Sequence, residues 1–146
     1  MTRQQAADGT EMSFAGRLGL RPENAVQLAE TINRGLPFRA FERLQIDMGV
    51  THRELAGLVG ISARTLARRK AEGRLQPEES ERLVRATRIF DAAVALFEGD
   101  KVGALNWLRT PAPALAGRKP IEFARSEVGA REVENLIGRV EHGVLG

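Results

Sequence analysis

Apolar residues recur along this chain at the three-to-four-residue spacing of helices, and no segment alternates in the two-residue rhythm of a strand. Phe38, Phe41, Leu44 and Met48 share one helical face, opened by Pro37 and stopped at Gly49. Leu55, Leu58 and Val59 mark a short helix that Thr51 and Glu54 can begin with a capping box. Gly60 supplies a left-handed residue for a turn, and Ser62 is a good N-cap for a second helix, Ala63 to about Glu72. Pro77 starts a long helix, Glu78 to Phe97, with Leu83, Val84, Ile89, Phe90, Ala93, Val94 and Phe97 as its buried face. Asp100 caps a further helix to Leu108, and Thr110-Pro111-Ala112-Pro113 breaks it. A short helix from Pro120 to Arg125 follows. Ser126 then caps the last helix, about Glu127 to His142, whose Val133, Leu136, Ile137 and Val140 form a clean amphipathic stripe.

The beginning of the chain is less regular. Pro22 to Asn33 predicts a short helix with Pro22 in its first turn, Val26, Leu28, Ala29 and Ile32 as core contacts, and Gly35 as its stop. Met1 to Gly19 lacks sustained periodicity and reads as a flexible arm or an expression-related extension. The expected fold class is all-α: a helix-turn-helix part followed by a small helical C-terminal domain.

Composition narrows the classes. With 146 residues and no cysteine, the chain can bury a real core but can form neither disulfides nor thiolate metal sites, which fits a reducing cytoplasm. No apolar run approaches the length of a membrane span and the polar N-terminus lacks a signal-peptide core, so a cytoplasmic protein without membrane contact is expected. The net charge of +3 is unevenly placed. Residues 51–90 carry 9 basic against 5 acidic side chains, whereas the stretches before and after are balanced or slightly acidic. Basic excess confined to one module favours phosphate binding there, against the plainer alternative of a solvated helix face.

That module holds the segment TxxELAxLVGISxRTLARRK, which has the parts of a helix-turn-helix. Leu55, Ala56 and Val59 pack the first helix, small Ala56 permits a close crossing, and Leu66 is expected to return the second helix to the core. Arg64, Thr65, Arg68 and Arg69, with Lys70 at the end, then occupy the exposed positions. Early residues of such a helix reach base edges, and Arg and Lys neutralise phosphates, so these five are the expected DNA contacts.

Together with ALNWL and GRKPIEFARSEVGAREVENLIGRVEHGV further on, this segment resembles the Xre/MbcA/ParS-type antitoxins over roughly residues 36–146. The resemblance implies an arm at 1–35, a helix-turn-helix domain at 36–98 and a toxin-binding domain at 99–146. It implies a partner, a RES-domain toxin that consumes NAD, whose pocket is occluded by the end of the antitoxin chain. Carried over, the matching positions are Arg139, Glu141, His142, Gly143 and Val144, with Leu145 and Gly146 as the final extension. Val144 and Leu145 suit apolar walls, and the carboxylate of Gly146 suits cationic groups. Plainer readings stand beside these. His142 before Gly143 is also a favourable helix ending, Trp107 suits a core, Arg118 and Lys119 suit a solvated loop, and Arg131 and Glu134 suit the exposed face of the last helix.

Catalysis is not expected. The chain has two histidines, His52 and His142, with no cysteine or tyrosine, no glycine-rich phosphate loop and no cluster of metal ligands. Glu141 and His142, adjacent on a helix, diverge rather than form an acid–base pair. No catalytic residue, cofactor or metal is therefore expected. The expected partners are the RES-domain toxin, promoter DNA and a second copy of the chain, because helix-turn-helix proteins commonly pair to match two half-sites. The alternative is a DNA-binding regulator or partition protein whose C-terminal domain only dimerises, and a neighbouring gene for a RES-type toxin distinguishes the two.

Overall fold

Most of the turn and cap signals in the sequence become helix boundaries. The computed structural model describes residues 12–143 and contains eight α-helices among them. They are α1 (Ala25–Arg34), α2 (Phe38–Met48), α3 (His52–Leu58), α4 (Ala63–Glu72), α5 (Pro77–Leu96), α6 (Lys101–Leu108), α7 (Pro120–Phe123) and α8 (Glu127–Glu141). Short 3-10 turns lie at Ser13–Leu18 and Pro113–Leu115. No strand occurs among the described residues, so the all-α expectation holds.

Side-chain caps satisfy free amides at the start of several of these helices. Thr51 accepts from the Glu54 amide at 3.0 Å, Ser62 from Thr65 at 3.2 Å, Asp100 from Gly103 at 3.0 Å and Ser126 from Gly129 at 3.0 Å. The start of α1 departs from expectation. Asn24, not Pro22, sets it, accepting from the Gln27 amide at 2.8 Å. Of the four expected core contacts there, Leu28 is buried and Ile32 half-buried, while Ala29 and Val26 face solvent, Val26 at 68% exposure.

The contacts divide the chain into two units, one ending at Thr87 and the other starting at Arg88. The division falls inside α5, whereas the resemblance implied a boundary after residue 98. In the first unit Leu36, Phe41, Leu44, Leu55, Val59, Leu75 and Leu83 are fully enclosed. The segment expected to be an arm takes part in this core from Ser13 onward: Phe14, Ala15 and Leu18 are buried, and Arg17 pairs with Asp47 of α2 at 2.6 Å. Residues 1–11 lie outside the described residues. A short backbone clasp brings the start of α2 to the end of α4: Leu75 donates to the Leu36 carbonyl at 2.9 Å and Phe38 to that of Gly73 at 3.0 Å. Buried Ser80 locks the clasp, accepting from the Leu36 amide at 2.8 Å and donating to the Gln76 carbonyl at 2.9 Å.

In the second unit Phe90, Ala93, Leu108, Leu115 and Val133 are enclosed, with Leu136 and Ile137 beside them. The amphipathic stripe of α8 is the one expected, except that Val140 is only half-buried. The α7–α8 corner is tight enough to demand a glycine. A Cβ added at Gly129 would lie 1.8 Å from the Phe123 carbonyl oxygen. Gly129→Ala is therefore expected to destabilise the protein by about 2 kcal/mol or more, through forced backbone displacement at this corner. Chemical denaturation followed by circular dichroism checks it, and a variant as stable as the parent would show that the corner relaxes freely.

Candidate functional site

Two regions collect the residues singled out from the sequence. The first is the helix-turn-helix of α3, the Val59–Ser62 turn and α4. Leu55, Ala56, Val59 and Ile61 anchor it in the core, and Gly60 adopts the left-handed conformation, φ 67°, that the turn needs. The His52 ring meets Phe41 of α2 edge-on at 5.8 Å. Helix α4 differs from the expectation, because it contains no fully buried residue. Leu66 is half-buried and lines a surface groove of about 620 Å³ with His52, Arg53, Ala56, Gly57, Ile61 and Ala63.

Arg64, Arg68 and Lys70 are exposed on α4 as expected. Arg68 has only a loose surface neighbour, Glu72 at 3.9 Å. Thr65 is half-buried, and its hydroxyl accepts from Ser62 at 3.0 Å. Arg69 departs from the expected exposure. It turns inward to a two-pronged pair with Glu79 of α5, Nε to Oε1 at 2.7 Å and Nη2 to Oε2 at 3.1 Å. The two side chains are only 11% and 8% exposed. Residues 68 and 69 are separated by about 100° around a helix, so consecutive arginines point to solvent and to the core in turn.

Glu79 also accepts from the Gln76 amide at 2.8 Å, at the start of α5. Burial works against its charge, but the Arg69 guanidinium, the Gln76 amide and the field of Arg82 outweigh it and hold the carboxyl below its ordinary range. Arg69 is correspondingly raised, chiefly by its hydrogen bond to Glu79. Sequence reasoning missed Glu79 as a partner. The available signal was an acidic residue in the first turn of α5, ten positions after a basic one at the end of α4.

The second region is the end of α8. His142 follows the helix and Gly143 takes the left-handed conformation, φ 73°, so the helix-ending reading of this pair holds. Glu141, His142 and Gly143 are exposed, and Arg139 is half-buried. The Nε of Arg139 is buried and has no hydrogen-bond partner among the described residues. Arg139 and His142 border a groove of about 470 Å³ with Glu134, Asn135 and Gly138. Val144, Leu145 and Gly146 lie outside the described residues. Arg131 is exposed as expected, but Glu134 is half-buried and receives Arg88 of α5 at 3.0 Å. Arg88 also holds Glu127 at 3.1 Å, which ties the first half of α8 to α5. Trp107 is half-buried, and Arg118 and Lys119 are exposed.

Among the described residues no group of His, Asp or Glu is placed to hold a metal ion, and no helix is long and apolar enough to cross a membrane.

Comparison with known proteins gives these two regions a common context. Residues 27–88 match the antitoxin Xre-like helix-turn-helix domain, and residues 92–143 match the antitoxin Xre/MbcA/ParS C-terminal toxin-binding domain. The first match takes in most of α1, which the sequence reading had assigned to the arm. The chain is 40% identical over 129 residues to an antitoxin Xre of Yersinia enterocolitica serotype O:8 / biotype 1B, covering 88% of this chain and 87% of that protein. It is 33% identical over 129 residues to an antitoxin Xre of Photorhabdus laumondii subsp. laumondii, with the same coverage.

The ion pair yields a pH prediction. A carboxyl held low in the folded state stabilises above its unfolded pKa, and that stabilisation is lost as the pH falls through the folded value. The first unit should therefore weaken on acidification below the ordinary glutamate range. Glu79→Gln should lower Tm by several degrees at neutral pH and flatten its decline on the acid side. Thermal melts from pH 3 to pH 7 check this, and an unchanged acid slope in the variant would remove Glu79 as the source.

Proposed function

This chain belongs to the Xre family of antitoxins, and from that premise we propose that it neutralises a RES-domain, NAD-consuming toxin in the cytoplasm. In this reading it inhibits by occupation rather than by catalysis. The residues after α8, Val144 to Gly146, enter the toxin's NAD-binding pocket, with Arg139, Glu141, His142 and Gly143 at its mouth. The observation that carries the reading is the end of α8 within the toxin-binding match. Ala130, Val133, Leu136 and Ile137 root the helix in a core, while Glu141, His142 and Gly143 stand exposed at its end. A segment delivered from a rooted helix loses less freedom on insertion than a free peptide. Val144 and Leu145 supply apolar surface for the walls of a pocket built for dinucleotide rings.

The helix-turn-helix binds the promoter of the protein's own gene, as a homodimer, and represses it. Arg64, Arg68 and Lys70 are its phosphate and base contacts, with Thr65 at the start of the same helix. Arg69 serves to hold that helix in place and is not a contact. Val26 and Ile46, 68% and 73% exposed on this unit, supply apolar surface for a second copy.

Two outcomes are expected. Removing Val144 to Gly146 should abolish protection of cells that co-express a RES-domain toxin, while promoter binding persists. NAD level and growth are the readouts, and full protection by the shortened chain would overturn the plugging mechanism. In the promoter assay, Arg68→Ala should weaken binding to all sequences alike and reduce the salt-dependence slope by about one unit. A folded Arg64/Arg68/Lys70 triple alanine variant with undiminished promoter affinity would overturn the DNA assignment.

A further inference from the structure

Four glycines lie inside α-helices among the described residues: Gly57, Gly103, Gly129 and Gly138. Packing within the chain accounts for two. A Cβ at Gly129 would strike the Phe123 carbonyl oxygen at 1.8 Å, and one at Gly103 would meet the Asp100 carboxylate at 2.6 Å. At Gly138 a Cβ would meet nothing within 4 Å. A glycine in a helix interior weakens the helix relative to alanine, so Gly138 is a loss that the fold of this chain does not explain.

A second unexplained loss sits beside it. The Nε–H of Arg139 is buried and unmet among the described residues, and such a donor forfeits its hydration without replacement. Because that donor has no partner where it lies, swinging the guanidinium outward sacrifices no hydrogen bond at that atom. Both residues line the groove on the solvent side of α8, with Glu134, Asn135 and His142. Glu134 is already engaged by Arg88. Gly57 is equally open, but no unmet polar group accompanies it in its groove.

We infer that the Asn135–Gly138–Arg139–His142 face of α8 is a docking surface for the main chain of the toxin. Gly138 lets a polypeptide backbone lie in van der Waals contact with the helix, where any side chain would hold it off. Arg139 donates to a carbonyl or carboxylate that this backbone brings. The occupant follows from the toxin-binding match, which ends at residue 143, next to His142 in the groove wall. The inference rests on the toxin-binding reading but not on insertion of the residues after Gly143.

The test measures binding of the full chain to a purified RES-domain toxin, by calorimetry, with NAD hydrolysis as a second readout. Gly138→Ala should raise Tm by roughly 2–4 °C, since its Cβ enters open space on a better helix former. The same variant should weaken toxin binding about tenfold, and Gly138→Gln about a hundredfold. Higher stability with lower affinity is the signature that a merely structural role would not produce. Wild-type affinity in folded Gly138→Gln would overturn the inference. The chain ending at Gly143 separates the two readings. If it no longer inhibits while Gly138→Gln binds normally, insertion stands and this docking face falls. If it inhibits fully while Gly138→Gln fails to bind, the docking face stands and insertion falls. If the parent chain does not bind that toxin at all, both fall.

Discussion

Helix α4 depends on an enclosed charge pair as well as on apolar packing at its ends. It buries no residue completely, so the enclosed Arg69–Glu79 pair supplies much of what fixes its position. Burying two charges is costly, and the attraction between them offsets that cost only when the geometry is good and the remaining lone pairs are met. Here both guanidinium prongs reach the carboxylate, and the Gln76 amide takes a further bond to Glu79. Such a pair tolerates little rotation. Arg64 and Arg68, one turn apart on the opposite side of α4, owe their common outward direction to the residue that points the other way.

This division of labour is invisible in the string ARRK. What the sequence carried well was local. Caps at Thr51, Ser62, Asp100 and Ser126 and the left-handed turn at Gly60 act within a few residues, so their chemistry could be read in place. What it carried poorly was distant. Ser13–Leu18 has no periodicity of its own and is ordered by Arg17 reaching Asp47, thirty residues on, and by burial of Phe14 and Leu18. The boundary inside α5 was hidden for a related reason. A continuous helix presents no break where its partners change.

The candidate sites followed the same rule. Arg64, Arg68 and Lys70 were identifiable because exposure on a short capped helix follows from periodicity once the helix is phased. Arg69 was misplaced because phasing requires knowing which side the core takes, and α4 has no strong apolar stripe to declare it. In α8 the stripe is strong, so the exposed face was legible down to Glu141 and His142. Glu134 was the exception, drawn into a pair by Arg88 across 46 residues of sequence.

Helix α8 carries the argument about function furthest because its two faces obey different constraints. The inner face, from Gly129 and Ala130 through Val133, Leu136 and Ile137, is fully accounted for by this chain. Small residues stand where α7 crowds it, and large ones where the core must be filled. Among the described residues, the outer face contains a glycine with nothing against it and an arginine Nε donor without an acceptor. Each lowers the stability of the isolated protein, and proteins hold only a narrow margin of stability to spend on such features. Both stand in the groove proposed to dock the toxin, next to the exposed end of the helix. The local rules of helix design fail at Gly138 and Arg139 and hold along the inner face.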